Sequence, residues 1–141
     1  MEETMKNLSR DITVGMSATI EKSVESADVE LFARISGDVN PVHLDDEFAA
    51  STRFGKRIAH GLLVASYISA VLGTKLPGPG SIYLNQSLRF LHPVYLGDVI
   101  TAEATVVNVR NDKPIITLST KCRNQDGELV LDGEAVLLYD K

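Results

Sequence analysis

Residues 61–76 read "GLLVASYISAVLGTKL", a stretch that is apolar nearly all round, with Ser66, Tyr67, Ser69 and Thr74 as its polar exceptions. A helix without a solvated face has to be surrounded by other structure. Sixteen residues, with Lys75 near their end, are too few and too interrupted to span a membrane. "PGPG" at 77–80 terminates the run. The stretch therefore reads as a buried central helix, and the rest of the chain has to supply its wrapping.

The wrapping is visible downstream. Residues 81–91, 98–109, 114–123 and 128–139 are long, rich in β-branched residues and often alternating. In the third run Ile116, Leu118, Thr120 and Cys122 share one face, and Ile115, Thr117, Ser119 and Lys121 share the other. "HPVYLGD", "RNDKP" and "NQDG" are turn signals between the runs. Four consecutive strands with short turns predict an antiparallel meander. An α+β domain follows, with a curved antiparallel sheet wrapped around one long helix.

Upstream, 16–24 alternates enough to predict a first strand. Ser26 reads as an N-cap, with Asp28 and Glu30 in the first turn, where they favour the helix dipole. Val29, Phe32, Ala33 and Ser36 give 27–36 an amphipathic helical spacing, and Gly37 stops it. Asn40 precedes Pro41 and is thereby pushed out of helical conformation. A second, shorter helix begins at Asp45 and runs through "DEFAAST". "SGDVNPVHLDD" (36–46) is then a connection held between two helices.

Bulk composition bounds the function. The 141 residues fit a single domain, 1–141, and 44% hydrophobic with 23% charged residues is ordinary globular composition. A net charge of −5 with no basic stripe argues against nucleic acid as a partner. Cys122 is alone, so no intrachain disulfide forms. "MEETMKNLSRD" is polar and acidic rather than basic-then-apolar, which makes a cytoplasmic location, away from any membrane, the expectation.

Several chemical signatures are missing. "GPGSIY" fails G-x-G-x-x-G because Tyr83 stands in place of the last glycine, and there is no HExxH, cysteine pair or G-x-S-x-G. His43, Asp45 and Asp46 are poorly spaced to converge on a metal. Asp38 and Asn40 can be Asx-turn residues and His43 an exposed loop histidine. Alternatively, Asp38 and His43 flank the rigid Asn40–Pro41 step and share one water as a general acid/base pair. Gly61 falls at the first turn of the central helix, where free backbone N–H groups and the dipole can hold an oxyanion. Glycine there also fits a purely steric need where helix meets sheet. Acid/base pair plus oxyanion donor is the set required to add water to, or remove it from, a carbonyl-conjugated double bond.

"SGDVNPVHLDDEFA", "RIAHGLLVASYISAVLG" and "SIYLNQSLRFLHPVYLGD" resemble the MaoC-like, hotdog-fold (R)-specific enoyl-CoA hydratases, over roughly residues 14–139. The resemblance implies a hotdog fold and hydration of a trans-2-enoyl-CoA to the (R)-3-hydroxyacyl-CoA. It implies that Asp38 and His43 hold the water and that the Gly61 amide binds the thioester oxygen. It implies no metal or redox cofactor, coenzyme A being part of the substrate, and a homodimer with the acyl-CoA along its interface. Asn40, Tyr67, Ser69 and Leu72 are the positions expected to bind substrate. For Ser69 a bond to the carbonyl four residues back is the competing reading, and for Tyr67 a place in the core. His60 is expected to fix the helix entrance, His92 to be a turn residue, and Arg53, Lys56 and Arg57 to meet CoA phosphates or form a solvated face. A hotdog acyl-CoA thioesterase, an acyl-carrier-protein dehydratase and a non-catalytic acyl-CoA binder are the alternatives.

Overall fold

The structure, a computed structural model, describes residues 11–139, so the polar stretch 1–10 lies outside the described residues. Strand β1 (Ser17–Ser23) leads into helix α1 (Ser26–Ser36), a one-turn helix α2 (Pro41–Leu44), a short α3 (Asp46–Ala50) and the central helix α4 (Gly61–Thr74). Strands β2 (Ile82–Gln86), β3 (Arg89–Phe90), β4 (Val99–Val109), β5 (Ile115–Arg123) and β6 (Leu129–Leu138) follow. Five of the six strands lie in the order β1-β4-β5-β6-β2, and β3 pairs with β6 beside β2. Every pairing is antiparallel. This is the α+β hotdog architecture.

The period-2 pattern places the core. Ile116, Leu118, Thr120 and Cys122 of β5 are all buried, as are Ile100, Ala102, Ala104 and Val106 of β4. Alanines at 102 and 104 leave room for α4, which buries Leu63, Val64, Tyr67, Ile68, Val71 and Leu72 against the sheet. Burial of a large apolar side chain contributes about 1.5–3 kcal/mol, so this interface dominates the stability of the domain.

The structure departs from the sequence reading at five points, the first being that 36–46 is not a plain connection: it carries helix α2, and Asp45 caps α3 rather than opening it. The meander holds for β4, β5 and β6 only, because "HPVYLGD" carries the chain across the sheet and returns it next to β1. There Gly97 N–H bonds to Val24 O at 2.8 Å and Val24 N–H to Asp98 O at 2.9 Å. The run 81–91 is two strands, since residues 87–88 cross over Gly133, whose hydrogen occupies a position from which any Cβ would overlap Ser87 O. Ser26 is the first helical residue rather than the cap. Glu25 caps α1 in a reciprocal box with Asp28, whose carboxylate accepts the Glu25 N–H at 3.0 Å. Finally, α4 is not wrapped on every side within one chain: Gly61, Leu62, Ser66, Ser69 and Gly73 form a stripe that is exposed. No helix among the described residues is long and apolar enough to cross a membrane.

Candidate active site

Helix α1 ends on Gly37, whose φ of 84° places it in the left-handed region that favours glycine. The chain after it is tied residue by residue. Ser36 Oγ donates to Phe32 O at 2.7 Å and accepts the Asp38 N–H at 3.1 Å. Asp38 Oδ1 accepts the Asn40 N–H at 3.2 Å, and Asn40 Oδ1 accepts the Val42 N–H at 3.2 Å, so both are the Asx residues the sequence suggests. With Pro41 in the first turn, Asn40 caps α2 and rotates His43 inward.

His43 is therefore not a loop histidine exposed to solvent; it is only 8% exposed. Its Nδ1 lies 2.8 Å from Ile58 O. A carbonyl only accepts, so Nδ1 carries the hydrogen and Nε2 keeps its lone pair, with no hydrogen-bond partner among the described residues. Burial lowers the pKa of the imidazole, and the neighbouring His60 acts in the same direction, against the opposing effects of the Ile58 carbonyl and Asp38. The site thus favours the neutral form of His43.

Directly beneath it lies His60, 2% exposed, its ring centroid 3.9 Å from that of His43 with the planes 30° apart. Its Nε2 donates to the backbone O of Asp38 at 2.9 Å. His60 also caps α4, its carbonyl receiving Leu63 N–H at 3.1 Å and Val64 N–H at 3.3 Å. The N–H of Gly61, the next residue, has no protein acceptor among the described residues. It is one of the orphan donors of a helix N-terminus. The ring of Phe90 covers this glycine: a Cβ at 61 would stand 2.7 Å from Phe90 Cε1. Asp38, His43, His60, Gly61 and Phe90 all line one cavity of about 510 Å³, whose walls are otherwise mainly apolar.

Asp38, His43 and His60 each bring a donor atom within 4.8 Å of the other two. Two bonds of about 2.8 Å to a single water span roughly 4.5 Å at a tetrahedral angle, so this spacing suits a shared water. It suits a metal poorly, because nearly parallel imidazole planes do not aim their lone pairs at a common point.

Of the residues singled out in the sequence, Asp38, His43 and Gly61 meet in this cavity, and Asn40 acts beside it as a backbone cap. Ser69 does not reach it. It lies with Ala65, Ser66, Tyr83 and Leu84 on a second, open cavity of about 400 Å³ between the bare stripe of α4 and β2. Tyr67 and Leu72 point into the core, the Tyr67 hydroxyl buried without a hydrogen-bond partner among the described residues. The cationic trio splits up. Arg53 sits over the Phe54 ring at the cavity, and Lys56 over the Tyr95 ring. Arg57, with a side chain 12% exposed, is a part-buried tie whose Nε donates to His43 O at 2.7 Å. His92 also lines the cavity and pairs with Glu128 at 3.5 Å. Two features of the site escaped the sequence reading, the inward Arg57 and the Phe90 ring over Gly61. Neither leaves a local signal, because each depends on a contact between distant segments.

A hotdog domain whose buried, neutral histidine and loop aspartate face an unpaired helix N-terminus is that of a MaoC-like protein. The MaoC-like domain model matches residues 7–125, and the chain belongs to that family. Its relatives include an (R)-specific enoyl-CoA hydratase of Aeromonas caviae, 50% identical with 91% of this chain and 96% of that one covered. Another is an (R)-specific enoyl-CoA hydratase of Rhodospirillum rubrum, 48% identical over 91% of this chain and 88% of the relative. Among solved structures, the R-hydratase PhaJ1 of Pseudomonas aeruginosa in unliganded form superposes with a TM-score of 0.90, 45% identical over 94% of this chain and 85% of that chain.

Proposed function

We propose that this protein is an (R)-specific enoyl-CoA hydratase, adding water reversibly to a trans-2-enoyl-CoA to give the (R)-3-hydroxyacyl-CoA. The observation that carries the reading is the convergence of Asp38, a neutral His43 and the free Gly61 N–H on one largely apolar cavity. The names and high identity of the relatives support it.

In this mechanism one water is held between the Asp38 carboxylate and His43 Nε2. Its oxygen bonds to C3 of the enoyl group while Nε2 takes its proton. The displaced π electrons move onto the thioester oxygen, which receives the Gly61 N–H and the positive end of the α4 dipole. A proton returned to C2 by the Asp38/His43 pair restores the thioester. Atoms and charge balance without a metal or redox cofactor. Water fixed on one side of a fixed enoyl group attacks one face only, which sets the configuration at C3.

The working unit in this reading is a cytoplasmic homodimer. The bare stripe of α4 and the free edge of β2 are the surfaces that a second copy covers, and the cavity holding Ser69 then lies on the acyl path. The test is the loss of enoyl-CoA absorbance on adding protein, with the product passed separately to (R)- and (S)-specific dehydrogenases. Turnover with signal through the (R)-specific enzyme is expected. Absence of hydration, or signal through the (S)-specific enzyme alone, overturns the assignment.

A further inference from the structure

His60 touches every working part of the site, and its Nε2 is engaged by a backbone carbonyl. Its Nε2–H holds the Asp38 carbonyl at 2.9 Å, its ring stacks on His43 at 3.9 Å, and its backbone begins the helix whose first free N–H is that of Gly61. Phe32 of α1 closes on the opposite side, with ring centroids 4.8 Å apart, so the imidazole is clamped between two elements. The Asp38 loop is otherwise exposed and held by short-range Asx bonds, and the bond from His60 is its long-range tie among the described residues.

We propose that His60 is the positioning residue that locks Asp38, His43 and the Gly61 amide into one arrangement. The inference rests on the hydratase reading for its kinetic consequence, though not for its structural one. An arrangement set by hydrogen bond and stacking is sensitive at the sub-ångström level, and a displacement of about 1 Å in a catalytic group costs on the order of 10²-fold in rate. Asp38 on the α1–α2 connection and Arg57, bonded to His43 O, lie beside the two rings, and Arg53 and His92 line the same cavity. His60 adds to the lowering of the His43 pKa, a second and electrostatic link between the two rings.

Two variants of the full chain separate the contributions. His60→Phe keeps an aromatic ring against His43 and Phe32 but loses the donor to Asp38. His60→Gln places an amide N–H near the same carbonyl. The expected result with crotonyl-CoA is a kcat reduced on the order of 10²-fold in His60→Phe, with butyryl-CoA affinity near wild type, and recovery of most of that loss in His60→Gln. Amide hydrogen exchange of Asn40, whose N–H rests on Asp38 Oδ1, should accelerate in His60→Phe and return toward wild type in His60→Gln. Wild-type kcat and Asn40 exchange in a folded His60→Phe overturn the proposal. So does equal loss of activity and melting temperature in both variants, which makes the role structural only. If wild-type protein fails to hydrate crotonyl-CoA, the hydratase reading falls, and the Asn40 exchange contrast still decides the role of His60.

Discussion

At the residue scale, the site pairs one exposed group with one buried group, and their substitutions should differ accordingly. Asp38→Asn keeps an Oδ1 for the Asn40 N–H, so hydration should fall about 10²–10⁴-fold with little change in melting temperature. His43→Ala should lose activity over the same range and also melt lower, because a buried ring and its bond to Ile58 O are removed. Steady-state turnover beside thermal melts distinguishes the two. The lowered pKa of His43 gives a signed pH expectation: the acid limb of kcat/KM should fall below the ordinary imidazole value of 6.5. Stability follows by linkage. As pH drops below about 6.5 the unfolded chain takes up this proton before the native one does, so the contribution of neutral His43 is full above that pH and declines beneath it. A pH series of melts on wild type and His43→Ala should show that decline only where His43 is present. Gly61 is constrained from the side of its own Cα. Its alanine must displace the Phe90 ring, which is 54% exposed and free to move, so Gly61→Ala should fold while losing kcat. If the damage is the misplaced ring, Phe90→Ala in the same chain should restore part of the turnover. If the Cβ itself crowds the thioester oxygen, the double variant should stay slow.

At the element scale, what was legible was what is local. β5 shows its faces because side chains alternate with period two, and the four inward positions are buried as the alternation requires. α4 is legible from its apolar surface, α1 from its spacing and the glycine stop, and Asp38, His43 and Gly61 from short motifs, although Ile58 and His60, which seat two of them, come from afar. What was not legible depends on segments meeting from afar. β2 and β3 read as one strand because nothing in "SIYLNQSLRFL" reveals that residues 87–88 must pass over Gly133. The sheet order escaped for the same reason, since "HPVYLGD" has the composition of a hairpin turn yet crosses to β1. The passage of residues 87–88 over Gly133 has a measurable consequence. Gln86 Nε2 donates to Ser87 O at 2.8 Å and to the buried Thr120 Oγ1 at 3.0 Å, so the kink is pinned and cannot slide away from an added methyl. Gly133→Ala should therefore destabilise the fold by about 1–3 kcal/mol, the usual cost of forcing extra volume into a packed region. Denaturant titration checks this, and a midpoint equal to wild type would mean that the crossing is looser than its hydrogen bonds imply.

At the scale of the whole molecule, the single chain is unfinished along one line. Among the described residues β2 is an edge strand with β6 on one side and no strand on the other, and Ile82, Tyr83 and Leu84 on it are all exposed. Beside it runs the stripe of α4 carrying Leu62, Ser66 and Ser69, separated by the open cavity of about 400 Å³. Edge strands and contiguous apolar surface are both liabilities unless something covers them. A second copy docking β2 against β2 resolves both at once: the sheet becomes continuous and the two helix stripes face each other. Sedimentation should therefore give a mass about twice the 15.3 kDa of one chain. Leu84→Lys places a charge in the middle of that edge, and the same residue in both copies would meet across the two-fold axis. Like charges brought together in a desolvated contact oppose association, so this variant should shift toward the single-chain mass. Because Leu84 is 50% exposed in the single chain, the variant should fold. With the proposed acyl path running along this contact, turnover should fall most for long acyl chains. A Leu84→Lys protein that keeps the doubled mass at low concentration would move the interface elsewhere on the molecule. A wild-type protein with the single-chain mass and full turnover would show that one copy suffices.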